Sequence, residues 1–129
     1  MAKPDVSIPA DTAPPTELVI DDITVGGGAE ATAGTNVDVH YVGVSWSTGQ
    51  QFDASWDRGD TFSFRLGAGQ VIQGWDKGVV GMKVGGQRRL TIPASMGYGD
   101  RGAGAQIKGG ETLVFVVDLL GVKLLTLSS

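Results

Sequence analysis

The chain contains no cysteine and only one histidine among its 129 residues. Disulfides, thiolate metal sites and a thiol nucleophile are therefore excluded, and so are most zinc sites, which need several His or Cys ligands. Positive charge is also scarce: ten Lys and Arg stand against fourteen Asp and Glu, for a net charge of −4. A surface that neutralises phosphates needs clustered basic side chains, so nucleic acid is not expected as a partner. Long apolar runs are missing too. The longest, Leu113 to Val117, is five residues, against the ~20 that span a bilayer, and no membrane association is expected. The first residues lack the apolar stretch of ~7 to 15 positions that marks a secretory signal. The expectation is a soluble, cytoplasmic, monomeric protein.

Glycine, by contrast, is abundant, at 21 residues, about twice the usual ~7%. Such a chain makes many tight turns. Proline is concentrated in the first 16 residues, which hold all but Pro93. That stretch shows no periodicity that would bury a face, so it reads as an extended, flexible arm, followed by a single domain over residues 17–129.

Within the domain, "ELVIDDITVGGG" reads as a strand ending in a glycine cluster. "NVDVHYVGVSW" alternates, with Val37, Val39 and Tyr41 on one face and Asp38 and His40 on the other. After a loop through Asp57, Arg58 and Gly59, Phe62, Phe64 and Leu66 point one way and Thr61, Ser63 and Arg65 the other. The period then changes: Val71, Trp75 and Val79 recur at helical spacing with Ile72 beside them. Gly74 and Gly78 each weaken a helix by about 1 kcal/mol relative to Ala, so this short helix must be held by packing, its bare edge admitting a neighbouring backbone. "QRRLTIP", a glycine-rich loop and "ETLVFVVDLLGV" follow. The last strand is apolar on both faces, which predicts a central position. The fold class is α+β, an antiparallel sheet of about five strands curled around one short α-helix.

Few residues suggest chemistry. "GYGDRG" at 97–102 matches a dinucleotide fingerprint literally, but no helix opens after it and more glycines follow, so it reads as a loop. His40 has no second His or Cys as a metal partner. Ser45 or Ser55 could be combined with His40 and an aspartate into a triad, yet no nucleophile-elbow pattern supports one. The carboxylates are scattered. What remains is aromatic: Tyr41, Phe52, Phe62, Phe64, Trp75, Tyr98 and Phe115 mostly fall at inward-looking positions. They fit either ordinary core packing or the walls of an open pocket. Asp53 and Arg58 fit either a surface ion pair or that pocket's charged edge.

The segments "VHYVG", "FDASWDRGDTFSF", "LGAGQVIQGWDKGVVGMKVGGQRRLTIP", "YG" and "TLVFVVDLL" resemble, in order and spacing, the FKBP-type peptidyl-prolyl cis-trans isomerases, over residues 17 to 122. The resemblance implies a half-barrel around a short helix, with Trp75 as the floor of a substrate pocket. It implies walls from Tyr41, Phe62, Val71, Ile72 and Phe115, a rim of Phe52 and Tyr98, Asp53 as the polar member, and Arg58 orienting Asp53 and Tyr41. By the same analogy Asp53, Tyr98, Tyr41, Phe52, Trp75 and Phe115 serve catalysis. Gln70 and Ile107 join the substrate-binding set, and the Ile72 N–H and Tyr98 hydroxyl bond ligand carbonyls. It implies no cofactor and no metal. The implied partners are proline-containing polypeptides and macrolide ligands. The 97–110 loop departs from the family's aliphatic and proline pattern, with Ala103, Gln106, Ile107, Lys108 and Gly109 in its place. It is too short for an inserted chaperone domain. A non-catalytic module gripping proline-containing ligands, and a structural domain whose aromatics are all core, are the alternatives.

Overall fold

The computed structural model describes residues 2–123, so the last six residues of the domain expected over 17–129 lie outside the described residues. The elements in chain order are β1 (Val19–Thr24), β2 (Asn36–Ser45), β3 (Gln51–Ala54), α1 (Ser55–Arg58), β4 (Phe62–Arg65), α2 (Gln73–Gly78), β5 (Gln87–Ile92) and β6 (Leu113–Lys123). A single turn of 3₁₀-helix, Ala94–Met96, follows β5.

All pairings are antiparallel, in the order β1-β5-β6-β2-β3, with β4 also on β2. β6 is central, as its two apolar faces predict. The sheet has six strands rather than about five, because one edge row is split. β4 pairs with Asn36 to Val39 of β2 and β3 with Val42 to Val44, while the chain between them leaves the ladder as α1. The expected loop through Asp57, Arg58 and Gly59 is thus a second helix, one turn long, closed by Gly59 in the left-handed region at φ 71°.

Alternation sorts the side chains as the period-2 pattern dictates. Val37, Val39, Tyr41, Phe64, Leu66, Leu90, Ile92, Leu113, Phe115 and Val117 are buried on the inner face around Trp75 and Val79 of the α2 segment. That helix spans only six residues, so packing has to hold it. Its glycine edge does meet a close neighbour, but the neighbour is side chain, not backbone. A Cβ on Gly74 would come within 2.5 Å of Ile92, and one on Gly78 within 2.7 Å of Leu90.

The outer face is covered by the arm. Pro4, Val6 and Ile8 are half-buried and alternate with exposed Asp5 and Ser7, a period-2 signal that the high proline content obscured. Val6 and Ile8 pack with Trp56 against Val42, Val44 and Ala54. Register puts Val114 opposite Val44 and Val116 opposite Val42, and both are buried on this face. Arg89 donates to the Ser7 carbonyl at 2.8 Å, Trp46 to that of Thr12 at 3.2 Å, and Lys3 pairs with Asp57 at 2.8 Å. The arm therefore has a face to bury after all.

Candidate functional site

The inner face opens, over the N-terminal end of α2, into a cavity of about 430 Å³. Its walls come from five elements. β2 supplies Tyr41, β3 Phe52 and Asp53, β4 Phe62, β6 Phe115 and α2 Trp75, while Gly69 to Ile72 and Tyr98 close it from the preceding turn and from the loop after β5. Trp75 is only 4% exposed, yet its ring borders the cavity. Around it Tyr41, Phe62 and Phe115 stand edge-on, with centroids at 5.0, 5.9 and 5.2 Å and interplanar angles of 82°, 72° and 90°. Edge-to-face contacts are the favoured arrangement of aromatic quadrupoles. They also keep the rings from collapsing into a stack that would fill the hollow. The indole N–H of Trp75 is buried and has no hydrogen-bond partner among the described residues.

Two features of this geometry were not visible in the residue pattern. Gly43 of β2 faces Phe115 and lies beneath the contact between Phe52 and Phe115, whose rings meet at 5.5 Å and 90°. A Cβ there would fall 2.6 Å from one ring and 2.7 Å from the other. The Asp76 carboxylate accepts the N–H groups of Gly67 and Gly69, at 2.9 and 3.0 Å, and so shapes the turn that presents Gln70 and Val71 to the cavity. The Gln70 side chain in turn accepts the Arg65 N–H at 2.9 Å, tying that turn to β4.

The polar edge is one closed group. The Tyr41 hydroxyl donates to Asp53 Oδ2 at 2.6 Å and accepts from Arg58 Nη2 at 2.8 Å, while Arg58 Nη1 donates to Asp53 Oδ1 at 2.6 Å. Burial and the Asp53 bond push the Tyr41 phenol above its ordinary range, against the opposing pull of Arg58. Tyr98, 40% exposed, is raised by burial and by the Asp53 charge. Both phenols thus stay protonated, as donors, well past neutrality. Among the described residues the Tyr98 hydroxyl and the Ile72 N–H have no hydrogen-bond partner.

Ten of the twelve residues expected at the site border this cavity; Arg58 and Ile107 do not. Arg58 stands behind the wall, bonded to Tyr41 and Asp53. Ile107 is buried, its backbone paired with Ala103 inside the loop. It borders instead a neighbouring cleft of about 460 Å³ with Ala103, Gly104, Ala105 and Gln106, which shares Phe52, Asp53 and Tyr98 with the main cavity. Gly69 was missed; its positive φ of 74° turns the chain into the pocket wall. Ser55 and His40 do come together, at 2.8 Å, but Ser55 is fully buried on the outer side of β2 and can reach no substrate as a nucleophile.

The sheet thus holds a small, ring-lined hollow with its charges tied to one another at the rim, the build of a small-ligand pocket. The family model for FKBP-type peptidyl-prolyl cis-trans isomerase matches residues 27–120. The FK506-binding protein of Streptomyces anulatus is 60% identical over 121 residues, covering 93% of this chain and 97% of that protein. A probable FK506-binding protein of Corynebacterium glutamicum is 52% identical over 120 residues, covering 93% and 98%. Among solved structures, AtFKBP13 superposes with a TM-score of 0.76 at 38% identity, over 91% of this chain and 96% of that one. This chain belongs to the FKBP-type peptidyl-prolyl cis-trans isomerase family, and its sheet and short helices are the fold of that family.

Proposed function

We propose that this chain accelerates cis–trans rotation about X–Pro bonds in flexible or unfolded polypeptides, with the proline ring lying against Trp75. Rotation about an amide makes and breaks no σ-bond. It has to cross a barrier of about 20 kcal/mol that arises from amide resonance. The planar amide is polar, and twisting removes much of that polarity. An aromatic cavity therefore penalises the planar ground state more than the twisted transition state, and each ~1.4 kcal/mol of that difference is worth tenfold in rate. The cavity's size is that of a small-ligand site, and its ring-lined interior is the observation that carries the reading.

The Tyr98 hydroxyl and the Ile72 N–H, both without partners, are suited to hold the carbonyls on either side of the bond. The charges of the Tyr41–Asp53–Arg58 group are spent on one another; its part is to fix the Tyr41 ring. No cofactor enters this scheme. Relatives of this chain are named for binding FK506, and the same hollow is suited to a macrolide of that kind.

The test is the relaxation of a short Xaa-Pro peptide from cis to trans, followed with and without the protein and again with FK506. Acceleration that FK506 suppresses is the expected result. Relaxation at the solvent rate, with FK506 still quenching tryptophan emission, would show a binding module instead.

A further inference from the structure

We infer that Ser55, which touches no part of the cavity, is a positioning residue for the isomerase site: it sets the Tyr41 hydroxyl from the outer side of the sheet. The inference rests on the isomerase reading above and goes beyond it by naming what holds its polar group in place.

The edge row of the sheet breaks beside Tyr41. β3 ends at Ala54, paired with Val42, and the next pair in register would be Ser55 with Tyr41. Instead the backbone turns into α1 at Ser55. A strand that loses its neighbour leaves an N–H and a C=O unserved, and buried backbone groups do not remain so. Here one hydroxyl replaces the missing strand. Ser55 Oγ accepts the Tyr41 N–H at 2.7 Å and lies 3.4 Å from the Tyr41 carbonyl oxygen, and the residue is fully buried. Without this substitution of hydroxyl for ladder, Tyr41 would need a strand partner, and α1 could not form where it does.

What α1 delivers is Arg58. In one helical turn the chain carries Arg58 from the end of β3 to beneath the Tyr41 phenol, where it completes the hydrogen-bonded group with Asp53. Ser55 thus anchors the backbone of the residue whose hydroxyl Arg58 and Asp53 share. The backbone of Tyr41 is pinned on one side by Ser55 and its ring on the other by Phe62, Trp75 and Phe115.

The hydroxyl has one proton to give. Its acceptor capacity serves the Tyr41 N–H, and of its two possible acceptors His40 Nδ1 is nearer, at 2.8 Å against 3.4 Å. A serine that donates to Nδ1 requires a neutral imidazole carrying its proton on Nε2. His40 is fixed for this by stacking on Trp56, at 4.2 Å between centroids and 18° between planes.

Peptide isomerisation and amide exchange followed by NMR on the full chain test this together. Ser55→Ala is expected to lower kcat/KM about tenfold, the effect of ~1.4 kcal/mol in the barrier, and to speed hydrogen exchange at the Tyr41 amide. In a Tyr41→Phe background, where the phenol no longer links Asp53 and Arg58, the same substitution is expected to change kcat/KM by less than about twofold, since coupled residues are not additive. In the unaltered protein the Tyr41 amide, held by Ser55 Oγ, is expected to be protected from exchange, a readout that needs no variant to fold. A tenfold loss repeated in full in the Tyr41→Phe background would make Ser55 a general structural residue and overturn the inference. So would an unchanged rate in Ser55→Ala, or a Tyr41 amide that exchanges freely in the unaltered protein. An unaltered protein that fails to accelerate the peptide overturns the isomerase reading instead, while leaving the NMR arms to decide the Ser55 contacts.

Discussion

Gly43 faces Phe115 across the β2–β6 ladder at a point where a Cβ would lie 2.6 Å from the Phe115 ring, and the Phe52 ring occupies the space alongside it. The glycine is there because two aromatic edges need its missing side chain. Gly43→Ala must push Phe52 or Phe115 into the cavity or outward. We expect kcat/KM toward a proline peptide to fall about tenfold or more, with a smaller loss of stability, about 1–3 kcal/mol. Steady-state rates alongside urea denaturation check this; unchanged rates would mean that the Phe52–Phe115 contact does not shape the site.

Gly74 gives a prediction opposite to the one helix propensity alone would make. Gly→Ala in an exposed helix stabilises by about 1 kcal/mol. Here the new methyl would stand 2.5 to 2.7 Å from three side-chain atoms of Ile92, a fully buried and β-branched residue that cannot rotate away. Gly74→Ala is expected to destabilise the protein by about 1–3 kcal/mol, as overpacking does, measured as a lower urea midpoint.

The arm offers a separate handle. Ile8 packs on the outer face and lines no part of the cavity beneath Tyr98. Ile8→Asp would put a charge against Val42, Val44 and Ala54, and is expected to lower stability by about 1–3 kcal/mol. Because the change lies on the far side of the sheet, kcat/KM at a temperature where the variant is fully folded is expected to stay within about twofold.

Asp118 makes stability depend on pH with a definite sign. It is buried, its Oδ2 has no partner among the described residues, and burial raises its carboxyl above the ordinary range, against the weaker lowering effect of the Gln87 hydrogen bond. Between the ordinary carboxylate range and that raised value the folded state holds more protons than the unfolded one. Its contribution to stability therefore falls as pH rises through this window and stays flat above it. Asp118→Asn removes the titration. The stability of the variant minus that of the parent is expected to be smallest in acid and to grow across the window; a difference that is constant with pH would contradict the assignment.

How much of this could be read in the residues depended on whether the signal was local. The alternation in β2, β4 and β6 and the stripe through Trp75 and Val79 are local, and they placed Tyr41, Phe62, Phe115 and Trp75 on the inner face. The cavity's finer construction is not local. Gly43 matters only because register sets it against Phe115, and Ser55 only because β3 stops opposite Tyr41. Asp76 matters because α2 brings it back to the turn at Gly67. The single turn of α1 is shorter than any window in which helical periodicity can appear. The packing of the arm is hard to read in the residues for a different reason: Val6 and Ile8 alternate, but over too few positions to stand out among prolines.

At the centre of the proposed function is a pocket of rings that lowers the barrier to amide rotation. NMR exchange spectroscopy on an Xaa-Pro peptide, with catalytic amounts of this chain, measures that barrier most directly. The expected result is cis–trans exchange accelerated by orders of magnitude, from a solvent process of tens of seconds, and sharply reduced by Phe115→Ala in a protein that is still folded. Exchange that stays at the solvent rate, or a rate indifferent to the loss of Phe115, would contradict it.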